Sequence, residues 1–245
     1  MMWMACVAAI LHAGEWDALK DDARLYATAP VRWEAQDWGL LAAAVGGSLL
    51  LVPLADQPVR GWMREHQDPT VSRVADVVRQ AGNGWWTVPM IGGLWGTGWV
   101  LDSPREQRVA REATEALLFS TVVSQGIKYA AGRRRPAGTN DDPWLWNDTR
   151  DGTFGNSFPS GHSQAAWSVL TVIGLEYKDV PGIAPLAFAT AGACAVSRVY
   201  DNRHWTSDVV AGSLLGFASG WAVVKWNRAR QVEATPQGVT LHMAF

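Results

Sequence analysis

Six uncharged stretches recur along the chain, at residues 38–55, 80–101, 116–127, 163–175, 180–197 and 209–224. Each is rich in Ala, Leu, Val and Gly. None shows the period-2 alternation of a half-buried strand, so each is predicted to be helical. Charged segments at 102–111, 176–179 and 225–230 separate several of them. The pattern predicts an all-α bundle of about six helices.

Whether those helices cross a bilayer depends on length and on the residues at their ends. A spanning helix needs about 20 apolar residues, several runs are shorter, and the mean hydropathy is only −0.04. Against this stand the 15 tryptophans. An indole is a large apolar body with one N–H, suited to a packed core or a membrane interface, and the Trp pairs near run ends resemble interfacial anchors. The balance favours a membrane-embedded bundle. Residues 1–13, MMWMACVAAILHA, are apolar but carry no basic residue before Lys20. They read either as a shortened secretory signal or as an apolar N-terminus. Residues 14–230 form the helical domain. Residues 231–245 form a C-terminal tail whose end, VTLHMAF, alternates like a short strand but reads better as a loose end.

Length and charge narrow the function. A chain of 245 residues fits one domain with a substantial core, and a net charge of −2 offers no general surface for nucleic acid. Cys6 and Cys194 form neither a disulfide framework nor a zinc pattern. No feature of the sequence sets an oligomeric state.

Three polar islands carry the chemistry. The first runs from Lys128 through Arg135 to Pro136 at the end of the third run. A basic cluster at a helix C-terminus is explained by the helix dipole alone, but Lys128 precedes Arg135 by seven residues, two helical turns. The second is Pro159-Ser160-Gly161-His162 at the start of the fourth run. Gly161 permits a close backbone approach, and free N–H groups at a helix N-terminus bind anions. His162 stands where a proton can be delivered. By itself the tetrapeptide also fits an ordinary serine N-cap. The third runs from Ser197 and Arg198 to His204 and Asp208. On a helix, His204 and Asp208 share one face, so a carboxylate can hold one imidazole nitrogen protonated and leave the other as nucleophile. Arg198 offers a planar fork for phosphate oxygens. Such a His–Asp pair alone is commonly a surface contact. In an up-and-down bundle, however, all three islands fall at the same end, which fits a phosphate site better than three unrelated caps.

In this order and spacing the islands resemble the type 2 phosphatidic acid phosphatase superfamily, which includes class A acid phosphatases and vanadium haloperoxidases. Its pattern is Lys-x6-Arg-Pro, Pro-Ser-Gly-His and Ser-Arg-x5-His-x3-Asp, matched here over the core 128–208. The resemblance implies that Lys128, Arg135 and Arg198 hold phosphate oxygens, assisted by Ser160 and the Gly161 N–H. It implies that His204 attacks phosphorus to form a phosphohistidine, that Asp208 orients His204, and that His162 protonates the leaving oxygen. It implies no metal or other cofactor, with vanadate expected as a phosphate-mimicking inhibitor. The substrate is then a phosphorylated lipid, of the phosphatidic acid or isoprenyl pyrophosphate type, or else a small phosphate ester handled by a soluble periplasmic enzyme. Halide oxidation and non-catalytic phosphate binding are the weaker readings.

Two further features need placing. The acidic loop 140–151 lacks the residue order of a calcium loop and reads as a solvated loop over the site. Within it, Trp144 and Trp146 either line an entrance or pack on the bundle rim. His12, His66 and His242 show no ligand spacing with carboxylates. The expected location is a bacterial-type cell envelope. Six spans from a cytoplasmic N-terminus place the site on the periplasmic side, whereas a cleaved signal implies a periplasmic protein.

Overall fold

The structure, a computed structural model, describes residues 13–138, 141–147 and 156–233. Residues 1–12 and 234–245, where the signal-like start and the alternating tail end fall, lie outside the described residues. The helices are α1 (Ala13–Thr28), α2 (Ala35–Leu51), α3 (Gln57–Glu65), α4 (Pro69–Val78), α5 (Gly84–Val100), α6 (Pro104–Ala131), α7 (Gly161–Glu176), α8 (Ile183–Tyr200) and α9 (Thr206–Glu233). No strand occurs among the described residues. The six apolar runs fall on α2, α5, α6, α7, α8 and α9. The bundle was therefore legible, and α1, α3 and α4, which lie in polar stretches, were not.

The charged separators turn out to be bundle parts. Segment 102–111 belongs to the first turns of α6, and 225–230 lies within α9. Their charges meet those of 176–179: Arg105 Nη1 donates to Asp179 at 3.0 Å, and Arg108 Nη2 and Arg228 Nη2 lie 3.2 and 2.8 Å from the Glu176 carboxylate. Arg111 donates to Asn227 Oδ1 at 3.0 Å. Three polar interruptions in the sequence thus close one end of the bundle.

Between the ends, Ile91, Val109, Ala113, Phe119, Val169, Val172, Val223 and Val224 form a continuous core joining α5, α6, α7 and α9. The tightest seam is α7 against α9. Gly212, Gly216 and Gly220 recur every fourth residue and so share one face of α9. A Cβ there would lie 2.4 Å from the Ser160 carbonyl oxygen, 2.3 Å from that of Gln164 and 2.7 Å from that of Ser168. Only glycine lets the two backbones approach this closely, the small-residue packing familiar from helices in lipid. Gly216→Leu is therefore expected to separate α7 from α9. The separation should cost at least the ~1–3 kcal/mol of ordinary overpacking, and thermal melts check it.

The outward surface is apolar. Leu40, Leu49, Leu50 and Leu54 are exposed along and just beyond α2, and Trp85, Trp86 and Trp99 are exposed at the two ends of α5. Three helical segments, Ala35–Glu65, Ile183–Tyr200 and Thr206–Ala229, are long and apolar enough to cross a membrane.

Candidate active site

At the bundle end opposite the ion-pair network, α6 stops, α7 starts, α8 stops and α9 starts. Gly132, in the left-handed region at φ 52°, ends α6 and donates its N–H to the Lys128 carbonyl at 3.0 Å. A side chain there would meet Asn147 as well as the strained backbone. The chain therefore leaves the helix before Arg135, and the expected two-turn stacking of Lys128 and Arg135 is replaced by a helix end followed by a loop. Both still converge on one residue: Lys128 Nζ donates to the Asn156 carbonyl at 3.0 Å, and Arg135 Nε to the Asn156 Oδ1 at 3.0 Å. Lys128 Nζ also donates to the Pro159 carbonyl.

Ser160 caps α7, as the N-cap reading proposed. Its Oγ accepts from the Ser163 N–H at 3.5 Å and the Ser163 hydroxyl at 3.0 Å, while its own N–H donates to the Asp208 carbonyl at 2.9 Å. Ser160 is fully buried, with Gly161 and half-buried His162 following it in the first turn. Gly82, in the turn before α5, packs directly on the His162 carbonyl.

Arg198, in the last turn of α8, donates from Nη1 to Asp201 at 2.9 Å. Its Nε is buried without a partner. An unpaired buried guanidinium N–H is costly, and a phosphate oxygen at the mouth would satisfy it. Asp201 also lies 3.6 Å from Arg79 Nη1, a cation outside the three islands. The His204 and Arg203 N–H groups both donate to the Arg198 carbonyl, at 3.2 and 3.1 Å, which locks the turn leading into α9.

His204 is buried, with its Nδ1 3.6 Å from Asp208 Oδ2 and 3.5 Å from Ser157 Oγ. Asp208 Oδ2 accepts from Ser157 Oγ at 2.5 Å and from the Trp205 N–H at 2.9 Å. The carboxylate therefore faces Nδ1 and leaves Nε2 as the nitrogen free to act as a nucleophile, and site contacts often tighten only when a substrate binds.

Arg133, Asp56, Ser157 and Ser207 also take part and were not singled out from sequence. Arg133 is fully buried and uses all five of its donors. Nη1 reaches Asp208 Oδ1 at 2.6 Å and Ser207 Oγ at 2.7 Å. Nη2 reaches Asp56 Oδ2 at 2.7 Å and the Pro143 carbonyl at 2.8 Å, and Nε reaches that same carbonyl at 3.1 Å. One available signal was the isolated Asp56, the first charge after the long apolar run 38–55. Trp146 packs beneath the loop with its ring 4.6 Å from the Arg133 guanidinium and 5.4 Å from Phe158, whereas Trp144 is exposed. So the two tryptophans divide: Trp146 is packing and Trp144 is free surface. Asp141 is tied to Arg60 and, at 3.6 Å, to Arg64. Residues 140 and 148–151 of the acidic loop lie outside the described residues. His66 stacks on Trp62 at 4.5 Å.

The electrostatics follow from burial among cations. Burial, reinforced by Arg198, His204, Arg135 and Arg79, pushes His162 down to about 4. Burial also lowers His204, opposed by Asp208, and brings Lys128 down to about 8. Both imidazoles are therefore neutral near pH 7. A bound dianion reverses the positive field around His162 and favours its protonated form.

The PAP2 superfamily model matches residues 110–231, which span all three islands. The chain belongs to the PAP2 superfamily. A relative, the lipid A 1-phosphatase of Porphyromonas gingivalis, is 34% identical over 110 residues, 44% of this chain. The match spans only 21% of that relative's length. Two solved structures share the PAP2 fold. Aquifex aeolicus LpxE aligns with a TM-score of 0.55 at 21% identity, covering 69% of this chain and 94% of that one. The transmembrane PAP2 type phosphatidylglycerolphosphate phosphatase of Bacillus subtilis aligns with a TM-score of 0.57 at 20% identity, covering 77% and 96%.

Proposed function

We propose that this PAP2 protein hydrolyses the phosphate monoesters of membrane lipids. The observation that carries the reading is the gathering of Lys128, Arg135, Arg198, His162 and the His204–Asp208 pair at one end of a bundle whose flanks are apolar. Phosphoryl transfer needs chiefly positioning and charge stabilisation, and here the protein's own three cations meet the phosphate oxygens. His204 attacks phosphorus through Nε2, the ester oxygen leaves with the proton of His162, and water then releases phosphate from His204. The helical segments Ala35–Glu65, Ile183–Tyr200 and Thr206–Ala229 anchor the site in a membrane, so a lipid headgroup reaches it from the bilayer. With the chain entering the Ala35–Glu65 segment from the cytoplasm, Asp56 and the site face the periplasm.

The deciding experiment compares phosphatidic acid, phosphatidylglycerol phosphate and a lipid A phosphate in mixed micelles with p-nitrophenyl phosphate and glycerol phosphate in water. A lipid enzyme shows a much higher kcat/KM for at least one lipid, and equal rates on water-soluble esters would sink the lipid reading. The proton inventory tests the acid. Sulfate, a dianion whose charge is constant near neutrality, is expected to bind at pH 6 with uptake of about one proton, measured by calorimetry in buffers of different ionisation enthalpy. His162→Gln should abolish that uptake.

A further inference from the structure

We infer that Asp56 and Arg133, which lie outside the residues that meet substrate, are positioning residues that set the state of His204 by clamping Asp208 from behind. The inference rests on the phosphatase reading for its kinetic consequences, though not for its geometry.

Asp208 has two carboxylate oxygens, and the structure assigns them different jobs. Oδ2 faces His204 and accepts from Ser157 and the Trp205 N–H. Oδ1 is held by Arg133 at 2.6 Å. Arg133 is held in turn by Asp56 at 2.7 Å. Asp56 also takes both polar groups of Ser207, the N–H at 2.8 Å and the hydroxyl at 2.7 Å. Ser207 precedes Asp208 in the first turn of α9, so Asp56 fixes the backbone that carries the orienting carboxylate as well as the cation that pins it. Asp56, Arg133, Ser207 and Asp208 are all at 0% exposure, so water does not screen the chain of charges. Lysine could not replace Arg133, because a compact ammonium with three donors cannot span four acceptors set around a planar fork.

The local sequence explains how a residue from position 56 arrives there. Pro53 has no N–H to donate, and the chain between α2 and α3 widens into a π-helical turn at Val52–Asp56. Such turns recur where a helix must redirect a side chain, and here the turn delivers Asp56 to the start of α9.

The trio Asp56, Arg133 and Asp208 carries one net negative charge beside His204. The other groups facing His204 are Ser157 at Nδ1, Lys128 and Arg135 across the mouth, and His162. Neutralising Asp56 leaves Arg133 with Asp208 as its only anionic partner. Asp208 then becomes a poorer acceptor for His204, and the field at the ring becomes more positive. Both changes disfavour the imidazolium.

The test is Asp56→Asn in the full chain, read by ¹⁵N NMR titration of His204 and by the pH dependence of hydrolysis. His204 is expected to titrate at lower pH than in the wild type. The acid limb of kcat/KM should move the same way, kcat should fall by roughly 10- to 100-fold, and KM should stay within about twofold. Ser207→Ala, which keeps the charges of Asp56 and Arg133 and removes the hydroxyl's bonds to both, should change kcat less and in the same direction. Sulfate binding and a thermal melt report whether each variant keeps its site. A folded Asp56→Asn protein with wild-type His204 titration and kcat overturns the inference. So does a loss of kcat that tracks the melting temperature while the titration stays fixed. If the titration shifts but the wild type turns over no phosphate ester, the positioning stands and the phosphatase reading fails.

Discussion

His204→Ala is expected to lower kcat by at least about 10⁴-fold, equivalent to about 5 kcal/mol of transition-state stabilisation, while sulfate still binds within about tenfold of wild type. The asymmetry follows from the site. Removing the imidazole removes the ring that Asp208 Oδ2 faces, but leaves Lys128, Arg135 and the unpaired Nε of Arg198 to hold the anion. His162→Ala should behave differently, because a general acid contributes roughly 10²- to 10⁴-fold and matters only when the leaving oxygen is basic. On p-nitrophenyl phosphate, whose leaving group departs without a proton, the His162 variant should recover most of its rate and the His204 variant none of it. Steady-state assays of both variants on an alkyl and an aryl phosphate separate the roles. If the aryl ester rescues His204→Ala instead, the two assignments are reversed.

Much of this arrangement was legible in the sequence because the same residues encode position and chemistry. The apolar runs give the helices, and their alternating direction places Lys128, His162, Arg198 and His204 at one end before any coordinates are known. The far end was legible only in part. Segments 102–111, 176–179 and 225–230 stood out as charged, but their pairing depends on which helix ends meet, as Arg108 and Arg228 do on Glu176. Two things were hidden for a physical reason. The seam of Gly212, Gly216 and Gly220 has no side chain to announce itself, and it acquires meaning only beside the backbone of α7. Asp56 sits 152 positions before Asp208 in a stretch that otherwise reads as a polar link, and nothing local shows that it is fully buried. The Arg133–Arg135 triplet was ambiguous in another way, since one residue type can serve as clamp or as ligand and only burial tells them apart.

That ambiguity makes a sharp prediction for neighbouring arginines. Arg133→Met should leave the carboxylates of Asp56 and Asp208 buried without their cation, a loss of about 3–5 kcal/mol. For a chain of this size the loss corresponds to a melting temperature lower by on the order of 10 °C. Arg135→Met should barely move the melt, because the half-buried Arg135 has an exposed, replaceable bond to Asn156. It should instead weaken sulfate binding by about 10-fold or more, the worth of one charged hydrogen bond. A coupled pair gives the check on cause. Adding Asp56→Asn to Arg133→Met removes one of the two orphaned charges, so the double variant should be more stable than Arg133→Met alone, even though Asp56→Asn by itself destabilises. Such a reversal of sign is what contacting residues in one charge network show and what independent sites do not. Simple additivity in the melts would mean that Arg133 stabilises the fold through its stacking on Trp146 and its bonds to Pro143, and not through the two carboxylates.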